Sequence, residues 1–173
     1  MSHKIYLLPF LMFVGIFFSG IRVNAAEWVV LKYGLLFEHI SVPELSTFAE
    51  TGELSASLRA YLRMVNKQPN ELREVLTKEI EVDPIILAKV LNSLPGEILL
   101  AQVSEVIRTP THRASRESLR GALVTSALPD GNIRLIEVLE NYPTPAVYVE
   151  GDRLVEIYNS LNLVLGLLPT ITL

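Results

Sequence analysis

The chain has 173 residues, 19 acidic against 15 basic side chains, a formal net charge of −4 and no cysteine. A dispersed negative charge argues against a nucleic-acid phosphate partner and against electrostatic docking on anionic lipid. Without cysteine there is no disulfide staple and no lipoprotein anchor, so buried apolar area must hold the fold.

The amino terminus has the three parts of a secretory signal. Lys4 supplies the positive charge, and Ile5 to Ile21 is apolar apart from Tyr6 and Ser19. Val23-Asn24-Ala25 then gives the small-x-small pattern that a signal peptidase accepts, which predicts cleavage after Ala25. The alternative is an uncleaved anchor, although the apolar run is slightly under the roughly 20 residues that span a bilayer. No Arg-Arg pair is present, which favours the general secretory route and a periplasmic or extracellular destination. Residues 1–25 are thus expected to be a signal peptide and 26–173 a single domain of 148 residues, whose charge becomes −6 because Lys4 and Arg22 leave with the signal. Contact with the membrane is expected only transiently, through the signal.

The mature chain opens on a hairpin. Trp28 to Tyr33 and Leu35 to Ser41 are rich in β-formers, and Gly34 between them supplies the turn. Alternation places Phe37, His39 and Ser41 on one face and Leu36, Glu38 and Ile40 on the other. Ser41 with Glu44 reads as a capping box, with Pro43 in the first turn of a helix that Gly52 stops. Ser55 caps a second helix with Leu58, Tyr61, Leu62 and Val65 on its apolar face. Pro69 opens a third, with Leu72, Val75 and Leu76 inward, and Asp83-Pro84 starts a fourth, with Ile85, Leu87, Ala88 and Leu91 inward.

Pro95-Gly96 breaks or restarts the chain, and Ile98, Leu99, Val103, Val106 and Ile107 form a fifth helix. Arg108 to Arg113 is a polar loop; Ser115 caps a sixth helix carrying Leu119, Ala122, Leu123 and Ala127. After the Pro129-Asp130-Gly131-Asn132 turn a seventh helix runs from Ile133 to about Asn141. Pro143-Thr144-Pro145 forbids helix, so 146–150 is expected to be a strand beside the hairpin, making a three-stranded sheet. Asp152 caps a last helix, Arg153 to about Leu165. The expected class is mainly α: a compact multi-helix domain with a small N-terminal β-hairpin and a third strand near residues 146–150.

Chemistry is sparse. The mature histidines are His39 and His112, with no His-x-x-x-His pair, so no metal site or cofactor is expected. No Gly-x-Ser-x-Gly elbow occurs; His112, Ser115 and Asp130 supply the residue types of a triad and nothing more. Leu94 to Glu97 could offer helix-start amides to an anion, but Glu97 would repel one. The densest basic stretch is the loop with Arg108 and Arg113, followed by Arg116 and Arg120. Such a cluster can grip a partner's carboxylates or a phosphate; alternatively it is a solvated surface balanced by Glu105 and Glu117. The uncharged tail from Leu161 to Leu173 is either core or a docking strip.

Several segments together resemble a known family. They are Val29 to Gly34, Ser41 to Leu54, Leu58 to Leu62, Gly96 to Leu100, Glu105 to Pro110, Ser118 to Leu123 and Tyr142 to Pro145. They resemble the cyanobacterial domain of unknown function 1400, typically the N-terminal module of predicted secreted α/β-hydrolases. The resemblance covers nearly the whole mature chain but consists of caps, breaks and apolar faces. The hydrolase part that usually follows is not in this sequence, so no catalytic residue carries over and the chain is expected not to be an enzyme itself. The expected role is an exported, non-catalytic module that binds a partner protein, such as a separately encoded hydrolase or another envelope protein. The alternatives are a small-molecule or lipid-binding domain, and a remnant or split N-terminal part of an α/β-hydrolase.

Overall fold

The computed structural model describes residues 25–153; the signal segment, the helix expected after Arg153 and the apolar tail lie outside the described residues. The chain starts with β1 (Trp28–Tyr33) and β2 (Leu36–Ser41), an antiparallel hairpin in which Val29 faces Ile40 and Val30 faces His39. Gly34 sits at φ 59, a left-handed conformation that a glycine adopts without Cβ strain. Helices α1 (Val42–Thr51), α2 (Ala56–Met64) and α3 (Pro69–Thr77) follow, then β3 (Ile80–Glu81), α4 (Pro84–Leu91), α5 (Leu94–Val103) and β4 (Ile107–Arg108). The chain continues through α6 (Ser115–Ala127), β5 (Asn132–Ile133), α7 (Leu135–Glu140) and β6 (Ala146–Glu150), and reaches a 3₁₀ turn, Gly151–Arg153.

The sheet is larger than expected. Its order is β2-β1-β6-β4, with β6 parallel to β1 and antiparallel to β4. The strand expected at 146–150 is present beside the hairpin, but Ile107–Arg108 adds a fourth strand where the sequence suggested a helix end and a loop. A separate ribbon pairs β3 with β5. The described residues are therefore mixed α/β, seven helices and 53% helix, rather than mainly α. The physical reason is the parallel β1–β6 pair, which binds the two ends of the described chain together and makes the sheet a layer of the core. Val29, Ile40, Ile107, Val147 and Val149 enter that core with Phe48, Leu58, Leu100, Leu119 and Tyr142 from the helical side. Each fully buried aliphatic side chain of this kind contributes roughly 1.5–3 kcal/mol.

The helix boundaries follow local signals with identifiable exceptions. Gly52 ends α1 at φ 76, its N–H donating to Phe48 O; Ser55 Oγ accepts from Leu58 N–H; Asp83 accepts from the N–H groups of Ile85 and Ile86. The Ser41–Glu44 box does not form: Ser41 makes no side-chain cap bond, and Glu44 instead accepts from the hydroxyls of Ser55 and Ser57 at the start of α2. Ser115 is the first residue of α6 rather than its cap, which falls on Ala114 at φ 52. Ile133 belongs to β5, so α7 starts at Leu135. Val75, Ile85 and Ile98, expected inward, are 51%, 67% and 55% exposed. Their neighbours Leu76, Leu87 and Leu99, expected inward with them, are buried in the core. No single helix among the described residues is long and apolar enough to cross a membrane.

Candidate functional site

The four arginines singled out in the sequence are not one patch. Arg108, on β4, directs its guanidinium to Glu150 on β6 at 3.4 Å and lies 5.0 Å from the centre of the Tyr148 ring. Lys32 on β1 reaches the same carboxylate at 2.9 Å. Two cations on a half-buried carboxylate hold its pKa below the ordinary range, with the hydrogen bond from Lys32 as the largest cause and burial opposing it. Arg116 and Arg120, four apart on α6, converge instead on Glu97 in the first turn of α5. Arg120 also donates from Nε to Leu91 O at 3.3 Å. Arg113 is exposed, and its backbone carbonyl accepts from Thr109 Oγ1 at 2.8 Å. The balancing carboxylates are thus Glu97 and Glu150, not the nearby Glu105 and Glu117.

The loop between β4 and α6 is a built turn. Thr109 is buried, and its N–H donates to Ser115 Oγ at 3.2 Å. His112 N–H donates to Thr109 O at 3.2 Å. His112 and Ala114 both hold positive φ, 59° and 52°, a conformation that costs a non-glycine residue of order 1–3 kcal/mol and persists only where surroundings enforce it. Beside this turn lies an open polar groove of about 510 Å³, bordered by Ser104, Glu105, His112, Arg116 and Glu117. Ser115 Oγ is engaged with Thr109, and Asp130 accepts from Asn132 N–H at 2.9 Å in its own turn. Among the described residues no hydrogen bond joins His112, Ser115 and Asp130, and no group of three or more His, Asp or Glu is placed to hold a metal ion.

Two further places stand out, neither singled out as a site from the sequence. On the hairpin, Leu35 is 97% exposed and Phe37 58%, with Trp28, Tyr33 and Leu36 also exposed. Among the described residues β2 is the edge strand of the sheet, so an apolar surface and a strand edge coincide there. Alternation did reveal that Phe37 faces away from Ile40. Ala25, the expected cleavage position, is exposed and precedes the buried Ala26, and the two line a small cavity against α1 and α7. Tyr142 is wholly buried with a hydroxyl that finds no partner among the described residues, and burial pushes its pKa up.

These elements make the described residues a small mixed α/β fold in which three of the four arginines are paired with Glu97 or Glu150. The chain belongs to the family described as alpha/beta hydrolase of unknown function (DUF1400), whose model matches residues 25–150. No curated protein and no solved structure matches it.

Proposed function

We propose that this chain is an exported, non-catalytic module that docks on a separately encoded α/β-hydrolase. The observation that carries the reading is the exposed apolar edge formed by β2 with Leu35, Leu36 and Phe37. A sheet edge of this kind accepts a strand from a partner, with main-chain bonds giving affinity and flanking apolar side chains giving specificity. The family's description as hydrolase supports the class of partner. In this reading the reaction is carried out on the partner, which would bear the Gly-x-Ser-x-Gly elbow. Export by the general secretory route to the periplasm or beyond is supported by Lys4, the apolar run and Val23-Asn24-Ala25.

The test is affinity capture from the envelope fraction with the tagged chain expressed with its own leader. Wild type is expected to retain a protein bearing Gly-x-Ser-x-Gly, and Phe37→Lys to lose it while melting normally. Capture of the same hydrolase by both, or of no hydrolase by wild type, would overturn the reading. The open groove beside His112 is the observation that favours a second reading, a small polar ligand; its border of charged groups suits such a ligand better than a lipid.

A further inference from the structure

The small cavity at the start of the described chain joins residues that are far apart in sequence. It measures about 320 Å³ and is lined by Ala25 and Ala26, by Ser46 and Glu50 of α1, and by Glu140 of α7. Ala25 is exposed, whereas Ala26 is 4% exposed and packs in the main core cluster. Ala26 is therefore the first buried residue of the described chain. The path is pinned one residue later: Glu27 N–H donates to Pro145 O at 2.9 Å, and Glu27 O accepts from Val42 N–H at 2.9 Å. Glu27 and Trp28 N–H share the Pro145 carbonyl, but the Ala26 N–H has no partner among the described residues.

We propose that this cavity receives the amino terminus created when the signal is removed, and that the α-ammonium of Ala26 ion-pairs there with Glu140 and Glu50. The proposal rests on the export reading above. Hydrolysis of the Ala25–Ala26 bond consumes one water; the carboxylate leaves on Ala25 and the Ala26 amine takes up a proton. A neutral amide is thereby replaced by a cation beside two carboxylates. Ser46 Oγ donates to Glu140 Oε1 at 2.5 Å and holds that carboxylate on the cavity wall. The other charged groups nearby are Arg73, which donates to the carbonyls of Ala49 and Glu50, and the exposed Glu27. Because Glu27 is already fixed by two backbone bonds, holding the terminus one residue upstream costs little further chain entropy. The processed chain thus gains an ion pair that the unprocessed chain does not have.

The test uses the whole chain, expressed with its leader and recovered after export, with its amino terminus read by mass spectrometry. Acetic anhydride at neutral pH labels free amines, and labelling at Ala26 is compared between native and urea-unfolded protein. An ion pair raises the α-amino pKa, and a rise of about one unit leaves about ten-fold less free amine. Native Ala26 is expected to label about ten-fold more slowly than unfolded, on that same one-unit rise. Glu81→Gln, which removes an exposed carboxylate outside the cavity, should keep this protection, and the Glu50→Gln/Glu140→Gln double variant should lose most of it. A raised pKa also fixes the sign of the pH effect. The stability gained is complete below the ordinary α-amino value of about 7.7–8.0 and is lost as pH rises through the higher folded value. Wild type should therefore lose more Tm than the double variant as the buffer is made alkaline. An Ala26 terminus that labels at the unfolded rate, or protection unchanged in the double variant, overturns the pocket and leaves export standing. A terminus at another residue, or a retained leader, overturns the proposal through the processing step instead.

Discussion

Glu97 and Glu150 do the same work in different surroundings. Each carboxylate collects two cations, Arg116 and Arg120 for Glu97 and Lys32 and Arg108 for Glu150. Glu150 lies on the central β6 strand with its side chain 18% exposed; Glu97 lies in a first helical turn and is 38% exposed. Glu150 gains from lower dielectric and from a fixed sheet register, whereas Glu97 is open to solvent and to counterions. The comparison teaches that a dense run of arginines in a sequence is not by itself a binding surface. Three of these four are drawn to carboxylates on other elements, and the pull of each carboxylate depends on its burial.

The largest effect is expected where the Glu97 pair depends on backbone contact rather than charge. A Cβ on Gly96 would lie 2.0 Å from Val90 O and 2.7 Å from Leu91 Cα, both backbone atoms of α4. Gly96→Ala therefore forces α5 away from α4 and pulls Glu97 from Arg120, which is itself tied to Leu91 O. The expected cost is about 3 kcal/mol, a fall of roughly 10 °C in Tm followed by circular dichroism. A Tm within a degree or two of wild type would mean that the close approach of α4 and α5 is not required.

Glu150→Gln comes next. It leaves Arg108, 14% exposed, and Lys32 facing a neutral group, and should cost about 1 kcal/mol. The lowered pKa of Glu150 gives the effect a direction in pH. Its contribution is complete above the ordinary glutamate value of about 4.3 and is lost as pH falls through the lower folded value. Urea melts of wild type and variant should therefore converge as the solution is acidified below that value. Curves that stay parallel down to the acid transition would show that the charge on Glu150 is not what stabilises the sheet.

The breaks in the fold were legible because each is decided locally. Gly52, Asp83-Pro84 and Pro143-Thr144-Pro145 act on their own backbone, and the structure puts the ends of elements there. What escaped was decided by distant competitors. Glu44 was a plausible partner for Ser41 until the hydroxyls of Ser55 and Ser57 claimed it from another helix. A strand of two residues, Ile107–Arg108, has no periodicity to read and exists because β6 offers it an edge. Proximity in sequence points the arginines to Glu105 and Glu117. Their actual partners are 23 residues from Arg120 and 42 from Arg108. The apolar hairpin was visible as alternation, but its place at the edge of the sheet depends on β6 choosing the far side of β1.

The smallest effect should come from Glu97→Gln, and it is the sharpest test of the comparison. The variant removes the charge from an exposed pair and from a helix N-terminus, where a carboxylate contributes only tenths of a kcal/mol. A loss of about 0.5 kcal/mol is expected in dilute buffer. At about 1 M salt the screening length falls to about 3 Å, and this difference should vanish. The Glu150→Gln difference should largely survive the same salt, because half-buried charges are screened less. Equal losses for the two variants, or equal sensitivity to salt, would show that exposure does not rank these carboxylates. The sheet register would then have no claim to strengthening the Glu150 pair.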